Sequence, residues 1–411
     1  MSPMMQQYHD AKKACGDALL LFRMGDFYEL FHDDAKVAAR TLGLSLTSRD
    51  KGENPVPMAG FPYHQLESYL GKLVAAGIRV AICEQMEDPK QAKGIVRREV
   101  TRVVTAGTLT DDALLDPQQN NYLAAIVPGE IAGIAWVELS TGRFYAATFA
   151  AAQLNDQLAR IDPAELLLAE DAPFTPQTVG TRMATTFRPP WAFALQQSSA
   201  SLAKQFGTAS LEGFGFDNDR DAPAIRAAGA ILEYLSETQK ASLAHINRLI
   251  AYRSSSTLEI DESTRRSLEI TRTIREGRRD GSLLAVIDRT TTAMGSRLLS
   301  DWLANPLIDR AAIESRHDAV AELVADSRLT DELRTRLKDI HDLERLLARV
   351  ITARATPRDL SNVAQTLSAL PALKARLTGR KSVLLSDLEN AIDLCPALRA
   401  RLDGALVDNC P

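Results

Sequence analysis

ALLLFRMGDFYELF, residues 18–31, is the stretch that decides the fold of the first part of the chain. It is apolar and aromatic with a break at Gly25, which predicts two extended pieces joined by a turn or bulge. Side chains alternate along an extended piece, so we expect Phe27 and Glu29 on one face and Tyr28 on the other. The stretch therefore predicts an aromatic ring and a carboxylate side by side at the start of its second strand.

The residues on either side of this stretch predict a mixed α/β domain over residues 1–110. Ser2 followed by Pro3 is typical of a helix N-cap and a first-turn proline. Hydrophobic periodicity and turn residues predict helices at 3–14, 33–42 and 65–75, and further strands at 45–47, 77–83 and 96–104. Proline and glycine residues punctuate 48–60 and predict a loop.

Two further parts are expected after a polar, proline-broken linker at residues 111–121. Strands at 122–126, 133–139 and 143–149, separated by short turns, predict an antiparallel meander in a second α/β domain over 122–255. From about Asp261 onward strand signals vanish and apolar residues recur at helical spacing, so residues 256–411 predict an all-helical region. The last residues contain no clear terminal element, and we expect this region to be truncated.

The composition is that of a globular protein and excludes several classes. With 45% hydrophobic and 25% charged residues, the chain is neither collagen-like nor wholly disordered. Its four cysteines form no CxxC pair, which argues against a structural zinc site and a disulfide framework. No apolar stretch approaches the ~18 residues of a membrane span and the N-terminus has no signal-peptide core, so we expect a soluble, cytoplasmic protein without a membrane partner.

Charge is unevenly distributed along the chain. The net charge is -5, and the acidic excess lies in residues 111–260, with 10 Lys and Arg against 17 Asp and Glu. Within residues 90–102, five cations face only Glu99: Lys90, Lys93, Arg97, Arg98 and Arg102. Such a basic run is able to contact phosphates, and the alternative, a solvated surface, is the commoner case.

Known catalytic motifs are absent from the sequence. It contains no GxxxxGK[ST] phosphate loop, no HExxH or CxxC metal spacing, no GxGxxG after a strand and no GxSxG turn. Glu138 lies in a predicted strand where a ribonuclease H-like nuclease has a metal-binding carboxylate, but one carboxylate cannot hold two cations. We therefore expect no catalytic residue, bound metal or cofactor in this chain. A structure-selective nuclease and a helical protein-interaction scaffold remain the alternatives to nucleic-acid recognition.

The pair formed by Phe27 and Glu29 has a physical use on a protein that meets nucleic acid. The ring can stack on a base, and the carboxylate can hydrogen-bond a base edge while it repels phosphate. The alternative is that Phe27 packs in the core with Glu29 at the rim, which spacing alone favours because most strand aromatics are packing residues.

The same stretch carries a family resemblance. Its extended form, LLFRMGDFYELFHDDA at residues 20–35, resembles the start of the MutS family of DNA mismatch-repair proteins. Further matches follow in order: PMMQQY at 3–8, PVPMAGFPYH at 55–64, VAICEQMEDP at 80–89, RVVTAGT at 102–108, LSTGRF at 139–144, TRRSLEI at 264–270, GSLLAVIDRTTTAMGSRLL at 281–299 and LERLLARV at 343–350. The GDFYELF motif is the most specific of them.

The resemblance implies a mismatch-binding domain, a connector domain with a ribonuclease H-like fold, and the start of a helical core and lever region. In the family, the Phe of the motif wedges into the minor groove and stacks on a mispaired base, and the Glu hydrogen-bonds that base; these roles fall on Phe27 and Glu29. The residues predicted to contact DNA are Phe27, Glu29, Arg49, Met58, Lys93, Arg97, Arg98 and Arg102.

The resemblance also implies ligands and partners. The DNA is double-stranded and carries a mismatch or a small loop. In the complete protein the resemblance implies a homodimer, a MutL-type repair partner, and an ATPase domain with ATP and Mg2+ that lies beyond residue 411.

Overall fold

The structure is a computed structural model that describes residues 2–48, 55–87, 94–175, 183–240 and 242–407. Two six-stranded sheets with their own helices precede a series of helices. The predicted combination of α/β parts and a helical region is confirmed. Among the described residues, no helix is both long and apolar enough to cross a membrane.

The first domain begins with a helix and continues into the first sheet. Its elements are α1 (Pro3–Cys15), β1 (Leu19–Met24), β2 (Phe27–Phe31), α2 (His32–Leu42), β3 (Thr47–Ser48), β4 (Pro57–Pro62), α3 (Leu66–Ala75), β5 (Val80–Gln85) and β6 (Arg98–Val104). The strand order is β3-β4-β2-β1-β5-β6, in which β1 and β5 are parallel and the other neighbours antiparallel.

Strands β1 and β2 are the two extended pieces predicted for residues 18–31. They meet at a turn in which Gly25 has a φ of +58°, a conformation that costs glycine little because it has no Cβ. Tyr28 packs in a core with α2 and α3, whereas Phe31 packs on the opposite face of the sheet against Tyr8 of α1, with ring centroids 5.0 Å apart. The predicted alternation of β2 is therefore confirmed.

Part of the predicted loop at 48–60 is a strand, which corrects the sequence-based prediction. β4 lies between β2 and β3, with Met58 opposite Phe31. Pro57 and Pro62 are its first and last residues, where the missing N–H removes no ladder bond from the middle of the strand. Prolines at both ends gave this strand the composition of a loop.

The second domain contains the predicted antiparallel meander. Its elements are β7 (Tyr122–Val127), β8 (Ile131–Glu138), β9 (Arg143–Ala150), α4 (Leu154–Ile161), β10 (Glu165–Ala169), β11 (Ala184–Arg188), α5 (Leu195–Phe206), α6 (Ala222–Gln239) and β12 (Ile250–Ala251). The order is β11-β10-β7-β8-β9-β12, with parallel pairing at β10–β11, β7–β10 and β9–β12. A Cβ on Gly133 of β8 would lie 2.1 Å from the carbonyl carbon of Pro223, so glycine lets α6 pack directly on the sheet.

The last part is helical, as predicted. Its helices are α7 (Glu262–Ser267), α8 (Leu283–Ile287), α9 (Ala293–Ala304), α10 (Arg310–Ala325), α11 (Ser327–Leu337), α12 (Leu343–Ile351), α13 (Pro357–Leu377), α14 (Val383–Ala391) and α15 (Pro396–Ala405). Asp309, Asp326 and Asp342 each accept a hydrogen bond from the backbone N–H three residues later, which caps α10, α11 and α12.

Five arginines of the helical region hold the segment that joins the two α/β domains. We call them the arginine clamp: Arg279 donates to Gln118 Oε1 (2.6 Å), Arg297 to Pro117 O (3.0 Å), Arg345 to Gln119 O (3.0 Å), Arg349 to Asp112 Oδ2 (2.5 Å) and Arg354 to Thr110 Oγ1 (2.7 Å). Backbone carbonyls and side chains of the segment thus find their donors in residues that lie far along the chain. The predicted linker at 111–121 is therefore bound to the helical region by hydrogen bonds and an ion pair.

Candidate nucleic-acid interface

The β1–β2 turn presents an exposed aromatic ring. Phe27 is the first residue of β2 and its side chain is 48% exposed, although Phe31 on the same face is fully buried. Phe27 lies opposite Met24 of β1 and Pro62 of β4, at the end of three neighbouring strands. Phe27 is therefore not a core residue, and its ring is accessible to a ligand that approaches this end of the sheet.

Glu29 lies on the same face as Phe27, one step further from the turn. It pairs with Phe22 of β1 and with Gly60 of β4, and its side chain is half-buried. A Cβ on Gly60 would lie 2.9 Å from Tyr28 O and 3.6 Å from Glu29 Cγ. Glycine at this position lets β4 lie close against β2 beside Glu29, because any side chain there would crowd the Tyr28 carbonyl.

A second exposed aromatic ring stands beside Phe27. Tyr63 follows β4, is 43% exposed, and its backbone N–H donates to Asp26 O at 2.8 Å. The guanidinium of Arg23 lies over the Tyr63 ring, 3.8 Å from its centroid, and it also pairs with Glu84 at 3.5 Å. Sequence reasoning missed these neighbours. The PVPMAGFPYH motif contains Tyr63, but only the strand register places it near Phe27.

Tyr28 holds the underside of the turn through a partly buried hydrogen bond. Its hydroxyl donates to the Glu84 carboxylate of β5. Burial raises the pKa of Tyr28, and the hydrogen bond to Glu84 raises it further. This contact ties β2 to β5 beneath the exposed face. Phe27 and Glu29 thus project from a rigid element, which is the geometry that a stacking site needs.

The predicted basic residues differ in what they contact. Arg97 is 68% exposed and meets Glu99 at 3.6 Å. Arg98 donates to Arg23 O at 2.7 Å, and burial lowers its pKa while the nearby charge of Glu29 opposes that shift. The guanidinium of Arg102 donates two hydrogen bonds to the Asp111 carboxylate, at 2.8 and 3.0 Å. Arg98 and Arg102 therefore have protein partners, and for these two residues a phosphate contact stays a prediction.

Of the remaining predicted contact residues, Met58 lies within the described part of the chain. Met58 is partly buried and packs on the Phe31 side of the sheet, so it borders the face that carries Phe27. Arg49, Lys90 and Lys93 lie outside the described residues.

Comparison with known families covers each of the three parts. The model described as MutS domain I matches residues 2–113, MutS domain II matches 121–247 and MutS domain III matches 263–411. The chain belongs to the MutS family. The resemblance of the GDFYELF stretch and the later motifs to MutS proteins is therefore confirmed.

Curated MutS relatives align with the whole chain. DNA mismatch repair protein MutS of Rhodopirellula baltica is 57% identical over 100% of this chain and 48% of the relative. The proteins of the same name from Symbiobacterium thermophilum and Halothermothrix orenii are each 43% identical over 100% of this chain, and 48% and 46% of their own lengths are covered. This MutS chain spans about half the length of the curated relatives that it matches.

The nuclease alternative is not favoured for this MutS chain. Glu138 is 1% exposed and accepts a hydrogen bond from Ser140 Oγ at 2.8 Å. Within the part of the chain that the structure describes, no three His, Cys, Asp or Glu side chains are grouped to hold a metal ion. Glu138 is instead part of the contact between the second domain and the helical region.

Proposed function

We propose that this chain recognises mispaired or unpaired bases in duplex DNA and thereby starts DNA mismatch repair. The observation that carries the proposal is the half-exposed Phe27 ring beside Glu29 at the end of a rigid sheet, in a chain of the MutS family. A binding titration that compares a duplex carrying a G·T pair or a one-base loop with its matched control tests it. Equal affinity for both duplexes would contradict the proposal, and no binding to either would favour a helical scaffold.

The mechanism rests on the deformability of the duplex. An apolar wedge in the minor groove unstacks a base step at a cost of about a few kcal/mol, and the bent duplex gains contacts with the protein in return. Mispaired steps stack less well, so the cost of inserting Phe27 is lower there. One protein can therefore find many different mismatches without reading the sequence around them.

Glu29 supplies discrimination by a penalty on ordinary DNA. Its carboxylate meets phosphate repulsion and loses hydration in a groove. A displaced base relieves this penalty when it offers a hydrogen-bond donor, or when the carboxyl group takes up a proton and donates to a base nitrogen. The half-buried Glu29 side chain, on the face of β2 that also carries the exposed Phe27 ring, supports this role.

We expect Glu29→Gln to tighten binding to matched DNA and to lower the mismatched-to-matched affinity ratio by roughly tenfold, since a base-edge contact is worth about 1–3 kcal/mol. Fluorescence titrations with both duplexes measure the ratio. Glu67→Gln is the matched control, because Glu67 is an exposed carboxylate of α3 in the same domain and its loss should affect both duplexes alike. If Glu29→Gln weakens binding to both duplexes equally, Glu29 does not discriminate between them.

Arg97 is expected to contribute affinity without specificity, because phosphate contacts position a protein and carry no sequence information. Arg97→Gln should weaken binding to both duplexes equally. It should also reduce the slope of log binding constant against log salt concentration by about 0.9, the value for one lost phosphate contact. The comparison variant is Arg102→Gln, which removes the Asp111 pair and should lower the melting temperature of the protein. An unchanged slope for Arg97→Gln would show that Arg97 is merely solvated. A reduced slope for Arg102→Gln would support its predicted phosphate contact, and an unchanged slope would make Arg102 a structural residue.

Further proposals concern the complete protein. We infer a connector domain with a ribonuclease H-like fold, supported by three antiparallel strands that continue into parallel ones, and a helical core and lever region after it. We also infer a cytoplasmic homodimer that works with a MutL-type partner. We infer that ATP and Mg2+ bind in a part of the complete protein that this chain, which spans about half the length of its curated relatives, does not cover.

A further inference from the structure

The end of the first sheet that carries Phe27 also presents Tyr63, to which the proposed function gives no role. Tyr63 comes directly after β4, in a short turn that leads into α3, and it is 43% exposed. Its chain neighbour Pro62 lies opposite Phe27 in the β2–β4 ladder. Two exposed aromatic rings therefore lie on neighbouring strands at the same end of one sheet.

Arg23 fixes the orientation of the Tyr63 ring. Arg23 lies opposite Tyr28 in the β1–β2 ladder, so its side chain is on the face of the sheet that Phe27 does not share. Its guanidinium lies over the Tyr63 ring, 3.8 Å from the centroid, and 5.6 Å from the centroid of Tyr28. This cation–π contact covers one face of the Tyr63 ring. Phe27 and Tyr63 therefore flank the β1–β2 turn, one on each side.

The turn between the two rings is bonded to both sides. Arg23 Nε donates to Gly25 O at 2.5 Å, and the backbone N–H of Tyr63 donates to Asp26 O at 2.8 Å. Arg23 is 18% exposed and also pairs with Glu84 at 3.5 Å, which limits its movement. These bonds keep the two rings in fixed positions relative to each other, as a binding surface requires.

A ring on the flank of the turn meets the DNA backbone when Phe27 enters the minor groove. Neighbouring strands lie about 5 Å apart, and the minor groove is about 6 Å wide. The residue beside the inserted ring therefore reaches the wall of the groove, which consists of deoxyribose and phosphate. Tyr63 suits this wall, because its ring offers apolar surface to a sugar and its hydroxyl is able to donate to a phosphate oxygen.

We propose that Tyr63 contacts the sugar-phosphate backbone beside the base step into which Phe27 inserts, and that Arg23 is the residue that positions it. This inference rests on the proposed binding of duplex DNA at this end of the sheet. Every duplex offers the same sugars and phosphates, so the contact adds affinity and reads no base. Phe27 then supplies the preference for a mispaired step, and Tyr63 supplies binding to any duplex.

The test is fluorescence titration of the 411-residue chain with a G·T duplex and its matched control at low salt. Tyr63→Phe should weaken binding to both duplexes by about tenfold, the effect of one lost hydrogen bond to a charged group, with their affinity ratio unchanged. Tyr63→Ala should weaken binding further because the ring contact is lost as well. Phe187→Ala is the matched control, since it removes a 59% exposed ring from β11 of the second domain and should bind both duplexes normally.

Arg23→Lys tests the positioning role. Lysine keeps the positive charge but lacks the planar guanidinium over the Tyr63 ring and the Nε–H that donates to Gly25 O. We expect Arg23→Lys to weaken binding to the matched duplex, and to cause no further loss when Tyr63→Ala is already present. An equal loss with and without Tyr63→Ala would show that Arg23 does not act through Tyr63.

The outcomes separate this inference from the proposed function. If the wild-type chain prefers the G·T duplex and both Tyr63 variants bind as it does, the backbone contact is wrong and recognition by Phe27 stands. If the wild-type chain binds both duplexes equally and Tyr63→Phe weakens both, the recognition is wrong and the backbone contact is supported. A wild-type chain that binds neither duplex would overturn both.

Discussion

Replacing Phe27 with alanine is expected to remove the preference for mismatched over matched duplex. Stacking of an aromatic side chain on a base is worth about 1–3 kcal/mol, so the affinity ratio should fall by roughly ten- to a hundredfold. The protein itself should keep its stability to within about 0.5 kcal/mol, because the Phe27 side chain is 48% exposed and contributes little to the core. Binding titrations with paired duplexes and urea unfolding of the free protein measure the two effects.

Phe31 provides the matched control on the same face of the same strand. It is fully buried and packs against Tyr8, so Phe31→Ala should cost about 3–5 kcal/mol of stability. The two variants remove the same ring from positions four residues apart in β2. If Phe27→Ala destabilises the protein as much as Phe31→Ala does, or leaves the affinity ratio unchanged, Phe27 is a packing residue and the wedge is wrong.

Replacing Arg345 with methionine is expected to cost about 3–5 kcal/mol of stability, the usual effect of removing one partner from a buried charged network. Arg345 is 3% exposed; its Nε donates to Ser140 Oγ at 3.0 Å, and Ser140 in turn donates to the buried Glu138. Its other nitrogens donate to Asp116 O and Gln119 O. The variant leaves Gln119 O without its arginine donor, leaves Asp116 O with the Gln119 N–H alone, and leaves the Glu138 charge without its cation.

Two measurements follow for Arg345→Met. Urea unfolding gives the loss of stability, and limited proteolysis should show faster cleavage in residues 111–121, since one of the five arginines of the clamp no longer holds them. Adding Glu138→Gln should restore part of the stability because it removes the uncompensated charge. Arg310→Met is the control, because Arg310 is 89% exposed and its ion pair within the described part of the chain is with Glu314 of its own helix. A loss no larger than that of Arg310→Met would show that the clamp contributes little.

Much of the candidate site could be predicted because its signal is local. The alternation of apolar and polar residues in β2 and the glycine of its turn are properties of a few consecutive residues, and the structure confirms the faces assigned to Tyr28 and Phe31. Local patterns also indicated the meander of the second domain and the helices after it. Composition could not decide whether Phe27 was exposed, because both faces of this sheet are partly covered by helices and only the positions of those helices leave Phe27 open.

The contacts that depend on distant parts of the chain could not be read in this way. β4 has the composition of a loop and becomes a strand because β2 and β3 supply its hydrogen-bond partners. Arg98 and Arg102 belong to a basic run in the sequence, yet the first donates to the backbone of β1 and the second pairs with Asp111. The charge of a side chain follows from the sequence alone, but its binding partner depends on how other elements of the fold pack around it.

The sequence by itself determined the family, the order of the α/β and helical parts, and the side-by-side placement of Phe27 and Glu29. These features follow from short-range periodicity and motif identity, which do not change when the chain folds. Only the tertiary structure decided that Phe27 is exposed while Phe31 is buried, and that the segment at 111–121 lies in an arginine clamp. Those features arise when elements far apart in the chain are brought together, because burial and charge pairing depend on neighbours in space and not on neighbours in sequence.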